Sequence, residues 1–405
     1  EDNSLALTYF HDNYVPASTA DNIVNVAPDA LSYSVSHNGT TLVLLDITAT
    51  KGTTSAMDTQ TAWMSGVLST DGHEQAFVFQ HKNLLGQNHK DNAFGSANDS
   101  NPTQQNDFFK VLSDNNVRYD LSGHDHMNHR AIVTSPDGQY QVQQIITQSD
   151  STKFYAASSG FSSREQSISH QQSRIGYYLF TVDGPKVTGE YWATTPAGNG
   201  DIPANPVWVL QDTFGYSLNG KQVTVARGGS YAGITDDTAL AVTRGETGYL
   251  GTTMTILAGT NAVTATAEGN RACVDDLNTG WAPREAGLAS DVLCLWGMNN
   301  ALGSDETDTF VLSMTVETPG VLMTRDENGN WVNAVDLNFG GTKAYVAGAW
   351  DSAYGLGTYG YDAASGTVWA VVNHNSDFAG AVPEPATMGL LVLGGLAILR
   401  RRNRK

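Results

Sequence analysis

Cysteine is almost absent: the chain has two, Cys273 and Cys294, in 405 residues. A disulfide-dense scaffold and a Cys-rich zinc module are therefore excluded. The pair can close one loop as a disulfide or remain two buried thiols, and an oxidising compartment favours the bridge. Basic residues are also scarce, with 22 Lys+Arg against 41 Asp+Glu and a formal charge of −19. Five of those cations, Arg400, Arg401, Arg402, Arg404 and Lys405, crowd the last residues, so the rest of the chain is more acidic still. Such a body suits neither a phosphate backbone nor a nucleic-acid scaffold role, and favours solubility and divalent cations. Long apolar runs are missing too. The uncharged segment 385–399, as a helix rising about 1.5 Å per residue, reaches roughly 22 Å against a bilayer core of about 30 Å, a poor permanent anchor. What is abundant is glycine, 41 residues, and hydrophobic residues, 40%, a globular and β-rich composition.

The length allows two or three domains. We divide the chain into an α/β part over 1–195, a linker over 196–206 rich in Pro, Gly and Asn, an all-β sandwich-like module over 207–381, and a tail over 382–405 with a short hydrophobic helix. In the first part, 31–47 reads as two strands joined by Asn38-Gly39, a hairpin signal. The apolar run Leu42-Val43-Leu44-Leu45 predicts a strand covered on both faces. A helix follows over 59–68, a strand over 76–79, a helix over 106–114 and a strand over 117–121. Further strands are expected at 131–135, 140–148, 175–182 and 186–193.

Two of these strands run into histidines. Ala76-Phe77-Val78-Phe79 leads to Gln80-His81, and the strand ending at Leu121 leads to Ser122-Gly123-His124-Asp125-His126. Loops after strand ends line the crevice of α/β folds. Two imidazoles at i and i+2 can face one point only if the backbone is irregular, and imidazole is a common ligand of first-row metals. His81, His124 and His126 are thus the candidate metal ligands. Asp125, between two of them, points away or orients an imidazole. His89 reads as a solvated loop residue, His73 as a solvated turn residue, His129 as locally hydrogen-bonded, and His11 as a surface or capping residue.

These pieces, the Leu45-Asp46 strand end, Gln60-Thr61-Ala62-Trp63-Met64, Val78-Phe79-Gln80-His81-Lys82 and Gly123-His124-Asp125-His126, resemble the later half of the calcineurin-like metallophosphoesterase family, within the purple acid phosphatase-like superfamily. The resemblance implies an incomplete metallophosphoesterase β-sandwich flanked by helices. It also implies a two-ion centre of iron, zinc or manganese, with His81 and His124 on one ion and His126 on the other, hydrolysing phosphate mono- or diesters. The family's Gly-Asp-x-x-Asp and Gly-Asn-His-Asp/Glu motifs do not occur. The only Asp-x-His, Asp71-Gly72-His73, is out of order. We therefore expect the chain to be a C-terminal part of such a protein and inactive alone, the alternative being a non-catalytic surface or biofilm-matrix protein with a degenerate phosphoesterase half and a binding β-module.

Short alternating runs beyond the linker, at 207–210, 221–226, 252–256, 309–316, 320–324, 342–346 and 367–372, predict the β-rich module. The tail, Val382-Pro383-Glu384-Pro385, an apolar segment and Arg400-Arg401-Arg402, resembles a PEP-CTERM sorting signal. That resemblance implies export across the inner membrane of a Gram-negative bacterium, transient anchoring by the helix, processing by an exosortase, and a destination at the cell surface or in the extracellular matrix.

Overall fold

The structure is a computed structural model that describes residues 18–19, 22–28, 31–46, 55–149, 153–156, 162–226, 228–261, 275–297 and 307–382. The chain separates into two compact units, Glu1–Gly215 with Thr264–Val274, and Tyr216–Val263 with Asp275–Lys405. Residues 196–206, read as a linker, lie inside the first unit's span.

The first unit holds an eight-stranded sheet among the described residues. Its order is β1 (Ile23–Val26), β2 (Tyr33–His37), β3 (Thr40–Leu44), β4 (Gln75–Phe79), β5 (Tyr119–Ser122), β7 (Gln141–Ile146), β6 (Asn128–Thr134) and β8 (Glu165–Gln171). Asn38 and Gly39 both take positive φ, as a two-residue hairpin turn requires, and set β2 against β3 with His37 opposite Thr40. Helix α1 (Ser55–Leu68) connects β3 to β4, and α2 (Pro102–Asp114) connects β4 to β5. Both connections join parallel neighbours. Each helix starts four residues earlier than its sequence pattern suggested. For α2 the start signal is Pro102, whose fixed φ suits a first helical position. Phe108, Phe109 and Leu112 then form its buried stripe.

Side chains of β4 alternate across the sheet. Ala76 and Val78 face the core shared with Met64, Leu68, Phe108 and Phe109. Phe77 instead meets the ring of Phe180, centroids 5.5 Å apart. Phe180 belongs to a second, three-stranded sheet, ordered β11 (Val209–Ser217), β10 (Lys186–Thr194), β9 (Ile175–Asp183). The unit is thus layered as helices, large sheet, small sheet, and β4 is covered on both faces. The expectation of two covered faces fails for β3: Val43 is fully buried but Leu42 is 36% exposed, because the aromatic contacts of the small sheet fall on β4 and β5. Strand β8, polar except for the buried Ile168 and unrecognised in the sequence, forms by pairing with β6. Beneath it, the buried Arg130 guanidinium bonds Asp212 at 2.9 Å and lies 4.1 Å above the Phe214 ring.

The second unit has two six-stranded sheets among the described residues. One is ordered β12 (Gln222–Val225), β15 (Asp275–Ala282), β16 (Val292–Trp296), β23 (Ser376–Ala381), β18 (Val321–Arg325), β19 (Trp331–Asn333). The other is ordered β13 (Thr235–Asp237), β14 (Thr253–Gly259), β17 (Phe310–Thr315), β22 (Thr367–Val372), β21 (Thr358–Asp362), β20 (Ala344–Ala347). Residues of both, among them Leu277, Leu295, Phe378, Ile256, Leu312 and Ala370, share one core. A five-residue helix, α3 (Ala239–Thr243), accompanies them. Cys294 is buried in β16. Cys273 lies outside the described residues, as do His11 and the tail helix expected after 382. No helix among the described residues is long and apolar enough to cross a membrane.

Candidate functional site

Parallel pairing brings the two histidine loops together. Phe79 of β4 stands beside Leu121 of β5, so both chains leave the sheet at the same edge. Two main-chain bonds carry the pairing past the strand ends: Gln80 N–H donates to Leu121 O, and Gly123 N–H donates to His81 O, both at 3.0 Å. His81 and His124, 43 residues apart in sequence, then place Nε2 and Nδ1 3.3 Å from each other. His124 Nε2 lies 3.3 Å from Asp91 Oδ1, and the other Asp91 oxygen accepts from Lys82 Nζ at 2.8 Å. Burial alone would raise the Asp91 carboxyl; Lys82 and His124 outweigh it and hold it at about 2. Burial, with His124 and Lys82 nearby, keeps the His81 imidazole below its ordinary range. His126 has Nδ1 3.2 Å from Lys153 O and its ring 4.9 Å from that of Tyr155.

The backbone irregularity expected at the His-x-His is present at both histidines: φ is +64° at His124 and +47° at His126. The left-handed region disfavours residues with a Cβ by roughly 1–2 kcal/mol each. The residue between them is what fixes this turn. Asp125 is fully buried. Its Oδ2 accepts from Asn83 Nδ2 and Gln87 N–H, and its Oδ1 accepts from His89 N–H at 2.9 Å and His89 Nδ1 at 2.7 Å. One carboxylate therefore pins the loop after β4 to the loop after β5. The imidazole that it orients is His89, not one of its two neighbours. His89 is accordingly no solvated loop residue: its ring stands 4.2 Å from that of His124 and 5.1 Å from Tyr155. Its position in sequence carried no such signal, since the partner lies 36 residues on.

Two other histidines are also corrected. His73 is nearly buried, held by Asp71 at 2.6 Å and facing Asn115 O at 3.1 Å, so the Asp71-Gly72-His73 turn is a structural lock. His129 is fully buried and bonds Ser167 at 2.9 Å across the sheet rather than locally. Glu165 approaches the same nitrogen at 3.2 Å. Burial pushes that carboxyl up to about 8 and the His129 imidazole down to about 3, so the contact joins two neutral groups and not an ion pair. Burial likewise raises Asp120, which accepts from Gln80 Nε2, to about 7.

His81, His124 and His126 all line one cleft of about 760 Å³ at the ends of β4 and β5. No three His, Cys, Asp or Glu side chains among the described residues converge as metal donors. His81 and His124 face each other, and Asp91 is held by Lys82 rather than placed between donors. The described residues by themselves therefore supply imidazoles but do not complete the two-ion centre that the family resemblance implies.

Residues 381–405 match the PEP-CTERM protein-sorting motif, the mark of an exported protein directed to the cell envelope and processed by an exosortase. No curated protein matches the chain in sequence. Among solved structures, the chain is similar to PhoD over 46% of its length and 42% of PhoD's, with 12% identity and a TM-score of 0.33. It is similar to GAP50, the anchor in the inner membrane complex of Plasmodium, over 43% of this chain and 51% of that one, with 11% identity and a TM-score of 0.28. It is similar to purple acid phosphatase PPD1 from yellow lupin (Lupinus luteus) seeds over 46% and 32%, with 13% identity and a TM-score of 0.31. The chain thus spans less than two thirds of each of these proteins.

Proposed function

We propose that this chain is part of an exported metal-dependent phosphoesterase acting on phosphate mono- or diesters, and that His81, His124 and His126 are its contribution of imidazole ligands. The observation that carries the reading is the meeting of these three side chains, from the ends of two adjacent parallel strands, at one cleft. The bonds that Asp125 makes to the preceding loop and the left-handed backbone at both flanking histidines support it, because strain held in place by a buried network is a feature of functional sites. Metal ions, bound with donors that the described residues do not supply, would polarise a phosphoryl oxygen and activate water. Mixed imidazole and carboxylate ligation suits iron, zinc or manganese. Protein expressed from the whole gene is expected to hydrolyse 4-nitrophenyl phosphate in a metal-dependent way, and His124→Ala to abolish this. Turnover undiminished by that substitution would show the assignment wrong. The 405-residue chain alone is expected to be inactive, which measurable metal-dependent hydrolysis would refute.

A second reading is favoured by the pairing of His81 with His124 and of His124 with Asp91. In it, the site is degenerate and the protein is a non-catalytic component of the cell surface or matrix, with residues 207–381 as a binding module. Activity of the whole-gene protein decides between the two. In either reading the tail from 382 onward, with its short apolar segment, holds the protein at the inner membrane of a Gram-negative cell until an exosortase cuts near Pro383-Glu384-Pro385. Mass spectrometry of the mature protein tests this, and recovery of an intact terminus through Lys405 would sink it.

A further inference from the structure

We propose that the cleft beside the three histidines selects phosphate esters whose leaving group carries a flat aromatic ring. The inference rests on the phosphoester reading above and adds the class of alcohol that the site prefers. Its basis is the wall opposite the imidazoles. The cleft, at about 760 Å³, is far larger than a phosphate group needs, and in the range of small-molecule sites. Beyond His81, His124 and His126 its lining includes the aromatic residues Phe79, Tyr178 and Phe180. These rings are set in place before any ligand arrives. Tyr178 stacks on Phe180, centroids 6.0 Å apart and planes 13° apart, and on Tyr191 at 4.9 Å. Its hydroxyl is fixed by Asn128 Oδ1. Phe180 is in turn backed by Phe77 and Tyr119. Tyr177, 45% exposed, projects from the other face of β9 against Trp208 at 5.1 Å and takes no part in the wall.

A polar end of imidazoles and an aromatic end of ordered rings demand the same two-part character of a ligand. The anionic ester belongs at the histidines. A planar apolar group belongs against the wall, where little side-chain entropy remains to be lost. An aliphatic alcohol such as glycerol would leave the wall wet and gain nothing from it. Ring stacking of this kind corresponds to roughly a two- to twelve-fold preference.

The test is isothermal titration of the 405-residue chain at low ionic strength with phenyl phosphate, glycerol 2-phosphate and inorganic phosphate. Phenyl phosphate is expected to bind at least about two-fold more tightly than glycerol 2-phosphate. Phe79→Ala, at the half-buried end of β4, is expected to bring that ratio close to one, and Phe79→Tyr to keep it. His124→Ala is expected to weaken all three ligands. Equal binding of the two esters, with the His124 dependence retained, overturns the aromatic preference and leaves the phosphoester reading standing. No binding of any of the three likewise overturns the aromatic preference alone, and binding indifferent to His124→Ala overturns both.

Discussion

Replacing Asp125 by Asn keeps the size of the side chain and removes one acceptor oxygen. Each carboxylate oxygen now receives two donors: Asn83 Nδ2 and Gln87 N–H on one side, His89 N–H and Nδ1 on the other. Turned towards Asn83 and Gln87, its NH₂ faces two N–H groups; turned towards His89, it faces the main-chain N–H and an Nδ1 that can change tautomer and accept. At least one hydrogen bond to a carboxylate, worth about 1.5–3 kcal/mol, is lost, and an N–H is left unpaired in the buried site. Relief of the buried charge offsets part of this, so the net loss should be about 2–4 kcal/mol. For a unit of this size each kcal/mol lowers Tm by about 2–4 °C, giving a fall of roughly 4–16 °C. Thermal and urea unfolding followed by circular dichroism read the loss directly. A double-mutant cycle with His89→Ala should return a coupling of roughly 1–3 kcal/mol between the two positions. A single-mutant loss under about 1 kcal/mol, or additivity in the cycle, would refute the view that Asp125 ties the two histidine loops together.

Further outcomes follow from the buried charges of the first unit. The Glu165 carboxyl, up to about 8 when folded against an ordinary 4.5, keeps a proton that the unfolded chain releases. Its contribution to stability is therefore full below pH 4.5 and is lost as pH rises towards about 8. Asp120 adds to the same limb up to about 7. Glu165→Gln, which mimics the protonated acid and keeps an acceptor for Gln87, should make the urea midpoint fall less between about pH 5 and about pH 8 than in the parent; equal slopes would count against it. Arg130→Met should cost about 3–5 kcal/mol by taking the guanidinium from the buried Asp212 carboxylate, with most of it restored by adding Asp212→Leu. A single substitution that is silent in the same unfolding assay would mean that the pair is not buried as described.

The sequence carried the local patterns well. A strand that runs into Gln80-His81 and another that runs into Gly123-His124 announce themselves by apolar runs, and Asn38-Gly39 by its turn chemistry. What it did not carry was anything that depends on a distant partner. His89 looks solvated until Asp125 is brought to it by the pairing of β4 with β5. His129 looks local until Ser167 and Glu165 arrive on β8, and β8 itself has no apolar alternation to reveal it. Helix α2 began early because Pro102 and the left-handed Asn101 set its start, a signal present in the residues and passed over in favour of the apolar stripe. The exposure of Leu42 was hidden because a continuous apolar run says that a strand is hydrophobic, not how far a covering layer extends.

The left-handed turns at His124 and His126 have a consequence for reading sequence variation. At φ of +64° and +47° glycine is the residue that the backbone prefers, and asparagine the next. If the imidazoles did nothing, exchange to glycine would be a gain in stability, and drift would carry both positions there. Histidine at such positions is a choice against conformation. His124→Gly and His126→Gly thus become a detector of function that needs no substrate: a variant that unfolds at higher temperature than its parent marks a side chain that this protein keeps for some other reason than its own folding.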